Sequence, residues 1–450
     1  MKKYSFLLLI VLLSSLTDPK ATITLSGKII NTEVKKIWIK GESFEKEIDL
    51  KLDGTFSEKL LIDYEGIYTI ETSKNKIPIY FSKDSKMSLT ADDTNFNSTL
   101  KYTGKGSLEN QYIARKTIII SQISNEELYK LNEIDFLKKV KEIKNSIDIL
   151  YQKTKLSDSN FKEKEAISIH YLEQRNLLYY IKMHGYYANL NGFEVSDTFP
   201  KFDKKMDLDK ESYFLFSIEY QDIVMTKFFE NIIGNGTSFF VSAKDAIPEI
   251  KALKSQSIKN RLILYGINDI NIENANYKNT YNEFLSITND PKIKEILTSN
   301  YNNTIAVEPG KPSPFFNYEN HKGGTTSLES LKGKNVYIDV WATWCGPCRQ
   351  ETPSLEKIEE QFQGKNIVFV SISIDNSKDR EKWSKLITEK RMSGIQLLAD
   401  NEWDSKFIKE YNITAIPRFI LIDSNGNIVN AQAPFPSDPK LIELLNSLKL

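Results

Sequence analysis

Hydrophobic and polar positions follow three different rhythms along this chain. From about residue 22 to 104, short runs rich in β-branched and aromatic residues recur: Ile23 to Ile30, Lys36 to Lys40, Phe56 to Ile62, Tyr68 to Thr72, Ile77 to Phe81 and Met87 to Thr90. Turn residues separate them at Asp53-Gly54, Glu65-Gly66, Ser73-Lys74-Asn75 and Lys83-Asp84. Runs of this kind spaced about ten residues apart predict a small antiparallel sandwich or barrel. From about Ser107 to Thr304 the apolar residues recur at three and four positions, the period of a helix. Helices are predicted over Ile113 to Ser121, Asn125 to Leu156, Asn160 to Leu190, Lys210 to Gly234, Ala243 to Gly266 and Asn276 to Thr298, with no internal repeat. Pro309, Pro312 and Pro314 then fix φ, and the segment reads as an extended, semi-rigid linker.

After the linker, strands and helices alternate. Strands are predicted over Val336 to Trp341, Ile367 to Ile374, Ile395 to Leu398, Arg418 to Asp423 and Ile428 to Ala431. Helices are predicted from about Cys345 to Phe362, Asp379 to Lys390, Ser405 to Tyr411 and Pro439 to Leu448. Such an order predicts a sheet covered on both faces with an antiparallel hairpin at its end. The chain therefore reads as multidomain. An N-terminal all-β, sandwich-like domain (22–104) leads into a central α-helical domain (105–305), a Pro-rich linker (306–314) and a C-terminal α/β domain (315–450).

Composition narrows the function. Lys+Arg and Asp+Glu both number 60. That balance gives no reason to expect nucleic acid or an anionic membrane as the main partner. Lys2 and Lys3 followed by the apolar run Phe6 to Leu13 read as a signal peptide over residues 1–21. The run is well short of the roughly 20 residues a membrane span needs. No other segment is long and apolar enough, so the mature protein is expected to be soluble, exported to the periplasm and without a transmembrane span. A lipoprotein leader needs a cysteine at the cut, and the only cysteines are Cys345 and Cys348, so an N-terminal lipid anchor is not expected.

A single pair of cysteines two residues apart closes too short a loop to act as a stabilising staple. Its setting points to chemistry instead. Two intervening residues in the first turn of a helix let the sulfurs bond reversibly. Unpaired N–H groups and the positive end of the helix dipole favour a Cys345 thiolate. Pro347 fits the first turn, where its missing N–H has no intrahelical partner to lose. Cys345 is expected to attack a disulfide and Cys348 to resolve the mixed disulfide. A zinc site would need two more ligands. His170 and His184 lie on helical stretches too far apart for ligation at i, i+4, so no metal and no cofactor are expected.

W-A-T-W-C-G-P-C at 341–348, followed by Arg349-x-Glu351-x-Pro353, resembles the thioredoxin superfamily and, within it, the exported TlpA/ResA-like branch. Pro314-Phe315-Phe316 and Ser327 to Lys334 resemble that branch's N-terminal extension. The stretch from Gly27 to Gly106, with Asp53-Gly54-x-Phe56, resembles the small β domain that precedes the thioredoxin domain in many exported Bacteroidetes proteins. The resemblance implies a thioredoxin fold over about 310–450, with a cis bond at Ile416-Pro417 beside the disulfide. It also implies a buried carboxylate, Asp339, beneath the site and an acidic residue near the pair, Glu351, with the division of proton transfer between them open. Trp344, Gly346, Pro347, Ile416 and Pro417 would form the face that meets the client. Arg418 departs from the threonine common there; it could lower a thiol pKa, select acidic partners or point into solvent.

The function implied is reduction of disulfides in exported proteins, with apocytochrome c as a client and a membrane thiol shuttle as electron donor. Two alternatives stand beside it. The chain could oxidise or isomerise disulfides, or residues 22–305 could capture a partner or ligand with the redox domain secondary.

Overall fold

A computed structural model of the chain describes residues 20–233 and 241–448. The expected leader over residues 1–21 lies outside them except for Lys20 and Ala21, as does Gly234 at the end of one expected helix. The chain divides into two compact units. One comprises the described residues of Met1–Val241 with Pro248–Leu262; the other comprises Ser242–Ile247 and the described residues of Ile263–Leu450.

The first unit begins with strands β1 (Ala21–Ile30), β2 (Lys36–Gly41), β3 (Phe44–Asp49), β4 (Thr55–Ile62), β5 (Gly66–Glu71), β6 (Lys76–Phe81) and β7 (Lys86–Asp92). A short helix α1 (Phe96–Thr99) and strand β8 (Lys101–Lys105) follow. They form two four-stranded sheets, ordered β4-β1-β7-β8 and β3-β2-β5-β6. Apolar side chains alternate inward along each strand, and a single core draws Leu25, Phe56 and Leu89 from one sheet and Ile39, Tyr68 and Ile79 from the other. β1 and β7 pair in parallel, which departs from the all-antiparallel expectation. The strands between them build the second sheet and only β4 returns, so β7 enters beside β1 in the same direction.

Periodicity had not marked β3 and β8. Both lie at sheet edges, where charged residues such as Glu45, Lys46 and Glu47 replace the β-branched pattern. Gly54 of the Asp53-Gly54 turn has φ +81, and a side chain there would collide with the Ile29 carbonyl oxygen.

Helices α2 (Ser107–Ile120), α3 (Asn125–Lys130), α4 (Glu133–Lys153), α5 (Ser159–Tyr187), α6 (Glu211–Phe214) and α7 (Ile218–Ile233) complete most of this unit. The predicted helix over 125–156 is two helices, because Asn132 caps α4 by accepting the Asp135 N–H at 3.0 Å. Asn110 of α2 covers the free edge of β6: its side chain accepts the Tyr80 N–H at 2.8 Å and donates to the Tyr80 carbonyl at 2.9 Å. Helices α8 (Ala243–Ala252) and α9 (Gln256–Tyr265) come next in the chain.

In the second unit, α10 (Tyr277–Ile287) and α11 (Pro291–Ala306) precede strands β9 (Asn317–Asn320) and β10 (Thr325–Ser327). The rest is β11 (Asn335–Trp341), α12 (Gly346–Gln361), β12 (Ile367–Ser373), α13 (Arg380–Lys390), β13 (Ile395–Leu398), α14 (Lys406–Glu410), β14 (Arg418–Ile422), β15 (Ile428–Asn430) and α15 (Pro439–Ser447). The seven strands order as β10-β9-β13-β12-β11-β14-β15, with β11, β12 and β13 parallel and β14 antiparallel to β11. Leu355 and Ile358 of α12 and Leu441 and Leu445 of α15 cover one face of the sheet. Trp383 of α13 and Phe407 of α14 belong to the core on the other face.

The chain passes from one compact unit to the other at Val241/Ser242, Ile247/Pro248 and Leu262/Ile263, and the Pro-rich segment lies within the second unit. That segment is bound to the sheet edge: Gly310 N donates to Ile428 O at 2.7 Å, and Ile428 N donates to Lys311 O at 2.8 Å. Prolines made it extended, and an extended chain can pair with an edge strand. Among the described residues no helix is long and apolar enough to cross a membrane.

Candidate active site

β11 is buried at every position because it is central and helices cover both its faces. It delivers the chain to a turn at 342–345, and Cys345 becomes the N-cap of α12. The Cys345 sulfur accepts the Cys348 N–H at 3.1 Å, so it occupies the place a serine or aspartate oxygen takes at other helix starts. Cys345 and Cys348 are joined by a disulfide with Cα atoms 5.3 Å apart. Both are buried, while the neighbouring Trp344 is 52% exposed. Gly346 and Pro347 form the first turn, where Gly346 has open space on its side-chain side. The Ile416-Pro417 peptide bond is cis and leads into β14.

Asp339 lies on β11 between Ser371 of β12 and Phe419 of β14 in register. Alternation puts it on the same face as Tyr337, the face that α12 covers. It is buried, and its Oδ1 has no hydrogen-bond partner among the described residues. Burial pushes its pKa up to about 7; Ser371 pulls it down and the charge of Glu351 adds to the rise. Glu351 sits in the second turn of α12, where its carboxylate accepts the Ser437 N–H at 2.9 Å and the Ser437 hydroxyl at 2.8 Å. It thereby ties α12 to the start of α15.

Arg418 shares a strand face with Ile420 and Ile422, away from α12. Its Nε donates to Ala431 O at 3.0 Å, and burial lowers its pKa against the opposing pull of Glu273 and Tyr411. Of the three readings open for it, contact with solvent alone is therefore the one the geometry sets aside. Neither histidine on the central helices has a metal-like setting: His184 Nδ1 lies 2.8 Å from Tyr129 O, and His170 Nε2 lies 3.5 Å from Asp203. Among the described residues no group of His, Cys, Asp and Glu could hold a metal ion.

Sequence reasoning missed Asp375, which follows β12. Its buried carboxylate accepts the Thr343 N–H at 2.9 Å, the Thr343 hydroxyl at 2.7 Å and the Ser373 hydroxyl at 2.7 Å. It thus holds the turn that carries Trp344 and Cys345. No local motif marks it, although an aspartate just beyond a predicted apolar strand was available as a signal. Trp403 was missed as well; its ring centroid lies 6.4 Å from that of Trp344.

Comparison with known proteins adds to this geometry. The Redoxin family matches residues 308–445. A thioredoxin-like protein, YneN, of Bacillus subtilis (strain 168) is 28% identical over 124 residues, covering 28% of this chain and 71% of that protein. The thiol-disulfide oxidoreductase ResA of the same strain is 23% identical over 144 residues, covering 32% of this chain and 78% of ResA. The crystal structure of the thioredoxin domain of a thiol-disulfide oxidoreductase from Bacteroides vulgatus is 30% identical, covers 31% of this chain and 96% of that one, and has a TM-score of 0.28.

Proposed function

We propose that this chain, whose C-terminal domain belongs to the TlpA/ResA-like branch of the thioredoxin superfamily and is a thiol–disulfide oxidoreductase, is exported to the periplasm and reduces disulfides in exported proteins, apocytochrome c among them. The observation that carries the reading is the Cys345–Cys348 pair at the start of α12, with Cys345 Sγ accepting a helix-terminal N–H. In the reduced protein that N–H and the helix dipole favour the Cys345 thiolate. The thiolate attacks one sulfur of a client disulfide, and the other client sulfur leaves as a thiolate. Cys348 then attacks Cys345, which releases the second client thiolate and regenerates the Cys345–Cys348 disulfide. Two electrons have passed to the client, and a membrane thiol shuttle returns two.

Asp339, with a pKa near 7, takes the Cys348 proton in the second step. Glu351 acts on Asp339 only through its charge, because its own carboxylate is engaged by Ser437. Trp344, Gly346, Pro347, Ile416 and Pro417 make the face that meets the client. The Gly-Pro pair between the cysteines is also that of thioredoxin, whose potential of about −270 mV favours reduction.

Equilibration with glutathione tests the direction. A midpoint potential below about −230 mV is expected, and one near −120 mV would make the protein an oxidase. Trapping by Cys348→Ser, which keeps the attacking thiol and removes the resolving one, should accumulate mixed disulfides with exported proteins. No trapped client would count against the reading.

A further inference from the structure

Two tryptophans stand partly exposed at the turn that leads into the disulfide. Trp344 is 52% exposed and Trp403 is 37% exposed, yet their rings touch, with centroids 6.4 Å apart and planes at 42°. They come from distant parts of the sequence, and neighbouring residues of one loop hold both. Asp375 accepts the Thr343 N–H and hydroxyl, which fixes the turn carrying Trp344. Asn376 donates from Nδ2 to Glu402 Oε1 at 2.6 Å, which fixes the turn carrying Trp403. Glu402 has φ 52, an uncommon conformation for a glutamate, so the second turn is held in place against a local preference. Exposed rings kept at a set spacing are the signature of a surface that waits for a partner.

We propose that Trp344 and Trp403 form a seat for a cationic side chain, arginine or lysine, adjoining the cysteine of the client polypeptide. The inference rests on the reductase reading and specifies its client. Charge selects the occupant. Asp400 and Glu402 flank Trp403 and neither has an ion-pair partner among the described residues, whereas Asp404 is paired with Lys409 at 2.8 Å and Lys406 lies 3.6 Å from Glu410. An ammonium or guanidinium over an indole face is attracted by its quadrupole, and tryptophan is the strongest such partner. A carboxylate placed there would meet the indole face and the acidic rim together.

Three disulfide-linked peptides that differ only in an Arg, Leu or Glu beside the cysteine test this. For the wild-type protein kcat/KM is expected to favour the Arg peptide over the Glu peptide by about tenfold, with Leu between. Trp403→Ala should bring the Arg-to-Glu ratio to within about twofold, and Trp403→Phe, which keeps a smaller ring, should retain part of it. The proposal is overturned by a wild-type ratio near one, by Leu equalling Arg, or by a Trp403→Ala variant that loses the same factor on all three peptides. Reduction of neutral hydroxyethyl disulfide by the wild-type protein is measured alongside. Its absence would overturn the reductase reading itself, whereas its presence with no peptide preference would overturn only the seat.

Discussion

Asp339 and Glu165 are both carboxylates buried inside the protein, one in each compact unit, and their surroundings are opposite. Glu165 accepts the Tyr112 hydroxyl at 2.8 Å and lies 2.9 Å from Lys116 Nζ, which also reaches Glu219 at 3.4 Å. Burial alone would push Lys116 down, but Glu165 and Glu219 hold it above its ordinary value; burial still pushes Glu165 up against the pull of Lys116, while against burial Lys116 and Ser217 hold Glu219 below the usual carboxylate range. Among the described residues no cation pairs with Asp339; burial pushes it up to about 7, against the hydrogen bond of Ser371. Burial by itself therefore does not make a carboxylate reactive. Burial raises both carboxyls; Lys116 and the Tyr112 hydroxyl oppose the rise at Glu165, whereas at Asp339 only Ser371 opposes it and the carboxyl is pushed up to about 7.

The largest expected effect probes the partnered side. Lys116→Met keeps the volume but removes the ammonium that pairs with both Glu165 and Glu219, and should cost about 3–5 kcal/mol in urea unfolding. A cost under about 1 kcal/mol would mean that the cluster does not depend on its charge.

Asp339→Asn probes the unpartnered side. In the unfolded chain the carboxyl ionises near 3.8, and in the fold near 7. Well below pH 3.8 it is protonated in both states. As pH rises toward 7 only the unfolded chain ionises, so the folded state loses up to about 4 kcal/mol relative to the unfolded one. Asn removes that slope, and the variant should gain stability over the parent as pH rises from 4 to 8, measured by urea midpoints at each pH. Insulin reduction should slow by about 10- to 100-fold. A loss of about 1–3 kcal/mol with full turnover would instead give Asp339 a structural role like that of Glu165.

Asp375→Asn sharpens the comparison with a buried carboxylate that has donors but no cation. Asn cannot accept all three hydrogen bonds, and a loss of about 1–3 kcal/mol is expected. Faster alkylation of Trp344-adjacent Cys345 in the reduced variant would report a loosened turn. Glu351→Gln should have the smallest effect, about 0.5–1 kcal/mol, since Gln can still accept from Ser437. Turnover in that variant should stay within about threefold of the parent, and a fall as deep as that of Asp339→Asn would move proton transfer to Glu351.

Much of the site could be read before any fold was known, because its signals are local. Cys345, Pro347 and Cys348 lie within one helical turn, and the apolar run of β11 that leads to them is contiguous. The same holds for the periods that separate strands from helices and for the Asp53-Gly54 turn. What stayed hidden depends on residues far apart in the chain. The edge strands β3 and β8 carry charges because of where they lie in their sheets. The parallel pairing of β1 with β7 depends on which strands leave for the second sheet. Asp375 and Trp403 gain meaning only when β12 runs beside β11 and β13 beside β12, which brings their loops to the turn that carries Trp344. Periodicity and turn chemistry are set by neighbours a few bonds away, so the sequence alone determined most of the elements and the cysteine pair that forms the disulfide. Which side chains face one another, and whether a buried carboxylate finds a partner, follows from sheet register and packing, and only the tertiary structure decided it.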